Sequence, residues 1–255
     1  MKVVQLTALS DNYTQVIVCP QTNQALFVDA PSADVIMSYV HKTGVEPIAV
    51  FNTHHHYDHT AGNQELCQKY PMTVYALRQD GVKIGGDISF VGEGDVISVG
   101  VLKLRALAVP GHTAGHLALY GHGALFCGDA LFCAGCGCLF EGDYQQLFDS
   151  LQKLRGFSDE TAVYFGHEYA EENLAFALTL EPDNTEAQKK LKEVRGKNRQ
   201  DLSRLAATIG DEKKYNPFFR WDAPPMLTGL RHKGVNGLDS PLNVFTAIRE
   251  LRDDF

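Results

Sequence analysis

The heptapeptide Thr53-His54-His55-His56-Tyr57-Asp58-His59 places four imidazoles and a carboxylate in seven residues, directly after the apolar run Ile48 to Phe51. Three more polar residues repeat that placement. His112 follows Leu104 to Val109, Asp129 follows Ala124 to Cys127, and His167 follows Ala162 to Phe165. A short apolar run that ends in a polar loop reads as a buried strand delivering side chains to a site. Four such segments imply an α/β protein that brings its ligands to one edge of a sheet.

The residue types fit a borderline-soft divalent ion, which takes imidazole nitrogen and carboxylate oxygen and keeps a position open for water. His54 and His56 serve one ion with His112 as a third ligand. Asp58, His59 and His167 serve a second, and the Asp129 carboxylate is left to bridge them. Two ions about 3.5 to 4 Å apart share a water and lower its pKa from about 15.7 towards 7. Asp58 and Asp129 are then the candidate catalytic carboxylates, orienting that water and receiving its proton. A histidine-rich turn can be mere polar surface, but three downstream partners at strand ends argue against that. His55, between two ligands, should point away from them, and His116 should support the site without binding metal. His41, His122 and His232 have no partner at ligand spacing. No Gly-x-Ser-x-Gly elbow points to a serine nucleophile.

Outward from these motifs, Gln15 to Cys19 pairs with Ala25 to Val28 as a hairpin, and Ser32 caps a helix through Tyr39. Val96 to Val99 with Val101 to Val109, and Leu117 to Tyr120 with Ala124 to Cys127, form two more hairpins around Gly100 and Gly121-His122-Gly123. A helix starts at Asp143, with Gln146 completing a capping box. This mix predicts two facing sheets with helices outside, and not a doubly wound parallel sheet. Beyond Tyr169, Glu171 to Leu180 and Thr185 to Arg199 read as charged helices. No convincing strand follows, and Tyr215 to Ser240 reads as a loop wrapping over the main domain. The division expected is a ligand-bearing domain over 1–169 and a small helical domain over 170–255.

In the last helix Val244, Ile248 and Leu251 form the buried stripe, and Phe245, Arg249 and Arg252 repeat the spacing one position over. Two guanidinium groups therefore share a face beside the core. They are either solvated charges complementing the helix C-terminus or a clamp for carboxylates.

The chain has 255 residues, 44% hydrophobic and 21% charged, enough for one large α/β core or a core with a small domain. A net charge of -8 argues against a nucleic-acid surface. The N-terminus alternates like a strand and lacks a signal sequence, and no run is long enough to span a bilayer, so the expected location is cytoplasmic, with no membrane partner. The six cysteines are expected to be free thiols. Cys19 and Cys67 read as ordinary buried residues. Cys127, Cys133, Cys136 and Cys138 lie close enough to raise a structural zinc or iron-sulfur site, but one ends a strand and the others share a glycine-rich loop, which is the preferred reading.

Thr53 to His59, Gly111-His112-Thr113, Gly128-Asp129 and Gly166-His167-Glu168-Tyr169 resemble the metallo-β-lactamase superfamily, most closely the glyoxalase II or hydroxyacylglutathione hydrolase family. Gly135-Cys136-Gly137 with Leu139-Phe140-Glu141-Gly142, Asn216-Pro217-Phe218-Phe219-Arg220 and Arg249-Glu250-Leu251-Arg252 carry the closer resemblance, which spans nearly the whole chain. It implies an αββα sandwich followed by a helical domain that completes a glutathione site. It also implies two divalent metal ions per chain, zinc first, with iron or manganese as alternatives. The activity implied is hydrolysis of S-D-lactoylglutathione to D-lactate and glutathione, the second step of methylglyoxal detoxification. Phe140, Tyr169, Arg249 and Arg252 are the implied substrate contacts, and a monomer is expected.

The sequence departs from that family at Cys138, where Arg or Lys usually follows Gly-Cys-Gly, and at Ala130, where Thr is common. Loss of the cation predicts a raised KM for the glutathione thioester, or tuning to a related thiol. A persulfide dioxygenase, with similar ligands around one iron, is the rival reading. A β-lactamase fits less well, since that class often has cysteine where Asp129 stands and is usually exported.

Overall fold

A computed structural model describes residues 1–80, 83–197 and 207–255. The first sheet runs in chain order through β1 (Lys2–Ala8), β2 (Asn12–Val18), β3 (Gln24–Val28), β4 (Glu46–Phe51), β5 (Thr73–Ala76) and β6 (Ile88–Phe90). The second holds β7 (Val96–Val99), β8 (Leu102–Ala108), β9 (Leu117–Gly121), β10 (Ala124–Gly128), β11 (Ala162–Phe165) and β12 (Ala207–Thr208), again in chain order. Tight turns make β1 to β3 and β7 to β10 antiparallel. Helix α1 (Ala33–Thr43) carries β3 into parallel β4, after which α2 (Tyr57–Thr60) and α3 (Asn63–Lys69) lead to parallel β5. Helix α4 (Tyr144–Arg155) likewise connects β10 to parallel β11, since a parallel return needs a crossover.

The period-two alternation of strand side chains builds the layers. Ile17, Leu26, Val28 and Phe51 face Leu104, Leu119 and Phe126 between the sheets. Their neighbours Val16, Phe27 and Val50 point outward and pack with Ile36, Val40 and Leu66 of α1 and α3. On the opposite face Leu107, Ala118 and Leu125 pack with Leu147 and Leu151 of α4. Helix, sheet, sheet and helix therefore stack as expected.

Several expectations change in detail. The ligand segments do not share one sheet: β4 belongs to the first, whereas β8, β10 and β11 belong to the second. The site lies where the edges of two sheets meet, because strand ends of both layers open onto the same rim of the sandwich. Helix α1 runs past Tyr39 to Thr43, and Gly44 stops it in the left-handed region at φ 68°. Ser32 sits at its N-cap without a side-chain bond, whereas Asp143 and Gln146 form both halves of the capping box on α4.

Beyond Tyr169 come α5 (Ala170–Leu180) and α6 (Thr185–Arg195), with residues 198 and 199 of the expected second helix outside the described residues. A strand does follow: β12 adds two residues to the edge of the second sheet, too few to show a pattern. It leads into α7 (Ile209–Tyr215). The expected loop from Tyr215 to Ser240 is also partly ordered, into a 3-10 turn at Pro217–Phe219 and α8 (Pro224–His232), each opened by proline at its first turn. The last helix, α9 (Pro241–Asp253), buries Val244, Phe245 and Ile248 in the same cluster as β8 to β10 and α4. Among the described residues no helix is long and apolar enough to cross a membrane.

Candidate metal centre

Backbone bonds stitch the sheets together at the rim, Glu168 N to Asp11 O at 2.9 Å among them. Leu117 N donates to Thr53 O at 2.7 Å, and Tyr13 N donates to Gly166 O at 2.8 Å. Between them the loops after β4, β8, β10 and β11 converge. Gly128 is left-handed at φ 49°, and a Cβ there would strike Thr53. A Cβ on Gly166 would collide with the Asp129 carboxylate and the His59 ring. Both glycines allow backbone to approach the ligands more closely than any other residue would.

All seven expected ligands come together. Their ligand atoms form three overlapping groups: His54, His56 and His112; His54, His59 and Asp129; and Asp58, His59 and His167. Facing nitrogens lie 3.0 Å apart between His54 Nε2 and His56 Nδ1, and 3.1 Å apart between the Nε2 atoms of His59 and His167. Asp129 lies between the two outer groups, with Oδ2 3.6 Å from His112 Nε2 and 3.4 Å from His167 Nε2. Its Oδ1 is buried without a hydrogen bond, although His59 Nε2 is 3.4 Å away.

The outer ring nitrogens set the tautomers. His59 Nδ1 donates to Asp29 Oδ2 at 2.8 Å, His167 Nδ1 to Asp11 Oδ1 at 2.7 Å, and His112 Nδ1 to the Cys138 carbonyl at 2.8 Å. His54 Nδ1 lies 3.0 Å from Thr53 Oγ1, whose own hydrogen goes to Asp29 Oδ2. Each Nε2 is therefore left to offer a lone pair inward, and a cation accepts what these facing acceptors cannot give one another.

Electrostatics points the same way. Burial opposes protonation of each ligand imidazole, and it holds His54 well below its ordinary value, His56 at about 4, and His112 lowered. At His59 and His167 burial acts in that direction too, but the carboxylates outweigh it. Asp129 and Asp29 raise His59 well above its ordinary value, and Asp129 and Asp58 lift His167 to about 10. Burial would raise Asp58 and Asp129, yet the histidines around them pull both below the carboxylate range. The carboxylates draw positive charge to the point where the nitrogens converge, a demand a divalent ion meets.

His55 points away, with Nδ1 3.1 Å from Asp80 and Nε2 3.4 Å from Glu141. His116 stacks on His54 and its Nε2 accepts from Asp129 N at 3.2 Å, a supporting position. Asp29, Asp11 and Asn12 were not singled out from sequence. Asp29 directly follows the apolar run of β3, the same signal that marks the ligands. Asn12 Nδ2 reaches Asp58 Oδ2 at 3.0 Å from the first residue of β2, where no pattern marks it.

Beside the ligands lies a cavity of about 440 Å³ that includes Cys136, Cys138, Phe140, Tyr169, Asn173, Arg249 and Arg252 in its lining. The Tyr169 ring stacks on His167, and the exposed Phe140 ring stands edge-on to His56 and His112. Arg249 is not a solvated charge. It is 4% exposed, with Nη1 on the Cys136 carbonyl at 3.1 Å, Nη2 on Asp253 at 2.7 Å, and a buried Nε without a partner. Arg252, half-buried, contacts Asn173 Oδ1 and Glu172. All six cysteines are free, and the described residues hold no cysteine group at ligand distance; Cys67 is only partly buried.

Residues 21–167 match the metallo-beta-lactamase superfamily, and residues 168–255 match the hydroxyacylglutathione hydrolase C-terminus. Two curated relatives named hydroxyacylglutathione hydrolase, from Synechococcus sp. and Nostoc sp., are 39% and 41% identical to this chain, with 100% of each chain covered. Among solved structures, ETHE1 from Myxococcus xanthus is similar with a TM-score of 0.66 at 25% identity, covering 99% of this chain and 98% of that one.

Proposed function

This chain belongs to the hydroxyacylglutathione hydrolases of the metallo-β-lactamase superfamily, and on that ground we propose how its residues carry the hydrolysis of S-D-lactoylglutathione to D-lactate and glutathione. The protein is a thioester hydrolase. The observation that carries the site assignment is the pair of three-residue ligand groups on either side of Asp129. His54, His56 and His112 would hold one divalent ion, and Asp58, His59 and His167 the other, with Asp129 between them. Zinc suits this imidazole and carboxylate set, as do iron and manganese. A second complete ligand group favours this reading over a one-iron dioxygenase.

Two such ions, held by these residues, would supply an acidified water and positive charge for the thioester oxygen. The protein does the rest. Asp58 is held by the Asn12 side chain on Oδ2 and keeps a partly open face, the position of a carboxylate that receives a proton from the attacking water. Asp129, buried and fixed by its neighbours, orients that water. Arg249 and Arg252, which line the cavity, would bind the glycine carboxylate of the tripeptide. Tyr169 and Phe140 border the bound thioester on either side of the ligands. Cys136 is buried beside Arg249 with its pKa pushed up to about 11 by that burial, which suits a wall and not a nucleophile.

A boundary near residue 170 separates the segment bearing the candidate ligands from the helices that carry Arg249 and Arg252, and six free thiols fit a reducing, cytoplasmic setting. Hydrolysis of S-D-lactoylglutathione and of the same thioester lacking the glycine carboxylate tests the assignment. The expected result is a KM at least about tenfold higher for the truncated thioester, the loss of a charge-assisted contact. Equal KM values would remove the arginines from the proposal.

A further inference from the structure

Cys138 stands in the cavity wall where the family resemblance leads one to expect a cation. Its backbone cannot move freely: its carbonyl accepts from the metal-ligand candidate His112, and a Cβ on the preceding Gly137 would strike the His112 ring and the Asp129 carbonyl. The side chain, partly exposed, therefore has the cavity as its free direction, alongside Arg249, Arg252, Asn173 and Tyr169. The neighbouring Arg249 is 4% exposed and keeps a buried Nε with no partner. A thiol here shares a chamber of about 440 Å³ with two guanidinium groups.

Such a chamber presents any bound glutathione species to that thiol. We infer that Cys138 is a modification site, forming a mixed disulfide with glutathione when glutathione disulfide enters the thioester pocket. The inference rests on the proposed glutathione reading of this cavity. In the exchange the Cys138 sulfur attacks one sulfur of the disulfide. A protein-to-glutathione S–S bond forms as the original S–S bond breaks. Cys138 is oxidised, and the departing glutathione is reduced and takes up the proton Cys138 loses. Glycine follows cysteine directly in the tripeptide, so a carboxylate held on Arg249 or Arg252 keeps its sulfur within one residue of the wall that Cys138 occupies.

The other five thiols are worse placed, and Cys19 is 0% exposed and absent from the cavity lining. Cys136 is 5% exposed, and Cys127 and Cys133 are 0% and 8% exposed. Cys67 is accessible in part but borders the core beneath α3, far along the chain from the cavity residues. The adduct fills the cavity that the substrate needs, so the thiol balance of the surroundings gates the hydrolase.

The test uses the full-length, metal-loaded enzyme. It is incubated with glutathione disulfide or with uncharged 2-hydroxyethyl disulfide at equal concentration, then followed by intact mass, peptide mapping and S-D-lactoylglutathione turnover. The expected result is one glutathionyl group per chain on Cys138, with activity lost in proportion and restored by dithiothreitol. Glutathione disulfide should react about tenfold faster than the uncharged disulfide, the effect of one recruited charge, and an S-alkylglutathione should protect. Cys138→Ser should take no adduct and keep its own untreated activity. An adduct on Cys67, a Cys136–Cys138 disulfide, equal rates for both reagents, or failure of the S-alkylglutathione to protect would each overturn the inference. Turnover before treatment reports separately on the thioesterase reading.

Discussion

Asp29 organises more of the metal centre than any single ligand does. One carboxylate accepts the Thr53 amide, the Thr53 hydroxyl and the His59 ring N–H, all at 2.8 Å. It adopts φ 60°, a left-handed conformation uncommon outside glycine but tolerated by aspartate. Asp29→Asn should weaken metal binding about 10- to 100-fold, the usual cost of losing a partner that orients a ligand histidine. Chelator competition measures this, and an unchanged affinity would mean that His59 is oriented without Asp29. Cys138→Arg belongs to the same scale. Restoring the cation should lower KM for the glutathione thioester about tenfold or more at unchanged kcat, and steady-state kinetics that show no fall in KM would dismiss the missing cation as the cause. The seven candidate ligands, which converge in three overlapping groups, stood out in the sequence because each segment that carries them follows a short apolar strand. Asp11 and Asn12 did not, because a turn residue and the first residue of β2 carry no pattern and act only on residues distant in the chain.

At the scale of elements, α9 serves two ends at once. Val244, Phe245 and Ile248 anchor it in the core beside α4, while Arg249 and Arg252 reach the cavity. Removing residues 241 to 255 is therefore a poor test of substrate binding, since it strips buried apolar side chains as well as cations. Single substitutions separate the roles. Phe245→Ala should cost about 3 to 5 kcal/mol of stability, seen as a fall in the urea midpoint. Arg252→Ala should leave stability within about 0.5 kcal/mol while raising KM, because its partner Glu172 is exposed and Asn173 stays tied to the Cys133 carbonyl without it. A matching fall in stability for Arg252→Ala would show that its contacts are structural. The spacing of apolar and basic residues revealed this helix and its two stripes in the sequence. What it did not reveal is that Phe245 and Arg249 of the second stripe are buried as well, since that depends on packing against Cys136 and Phe218, over a hundred and about thirty residues from Arg249 respectively.

Across the whole molecule, the sandwich and the helical segment share apolar contacts, so their stabilities are linked. Glu212 of α7 lies at that junction, fully buried, accepting from Ala134 N at 2.8 Å, Asn216 Nδ2 at 2.9 Å and Tyr215 Oη at 3.1 Å. Burial pushes its pKa from 4.5 up to about 7. The folded state then holds this proton more tightly than the unfolded chain does, so the stability it adds is complete below 4.5 and is lost as pH rises through about 7. E212Q, which removes the titration, should flatten the decline between pH 5 and 8 by up to about 3 kcal/mol. Parallel urea-midpoint profiles for the two proteins would locate the dependence elsewhere. Facing sheets were readable from the run of hairpins and crossovers, but a ligand rim drawn from both sheets was not. Strand order is set by contacts between distant segments, and β12 gains its identity only by lying beside β11. The most direct test of the central claim is to strip the enzyme of metal and follow S-D-lactoylglutathione hydrolysis as zinc is returned. Two cooperating ligand groups predict activity that rises to a plateau at about two ions per chain. Full activity at one ion per chain would contradict the two-ion centre.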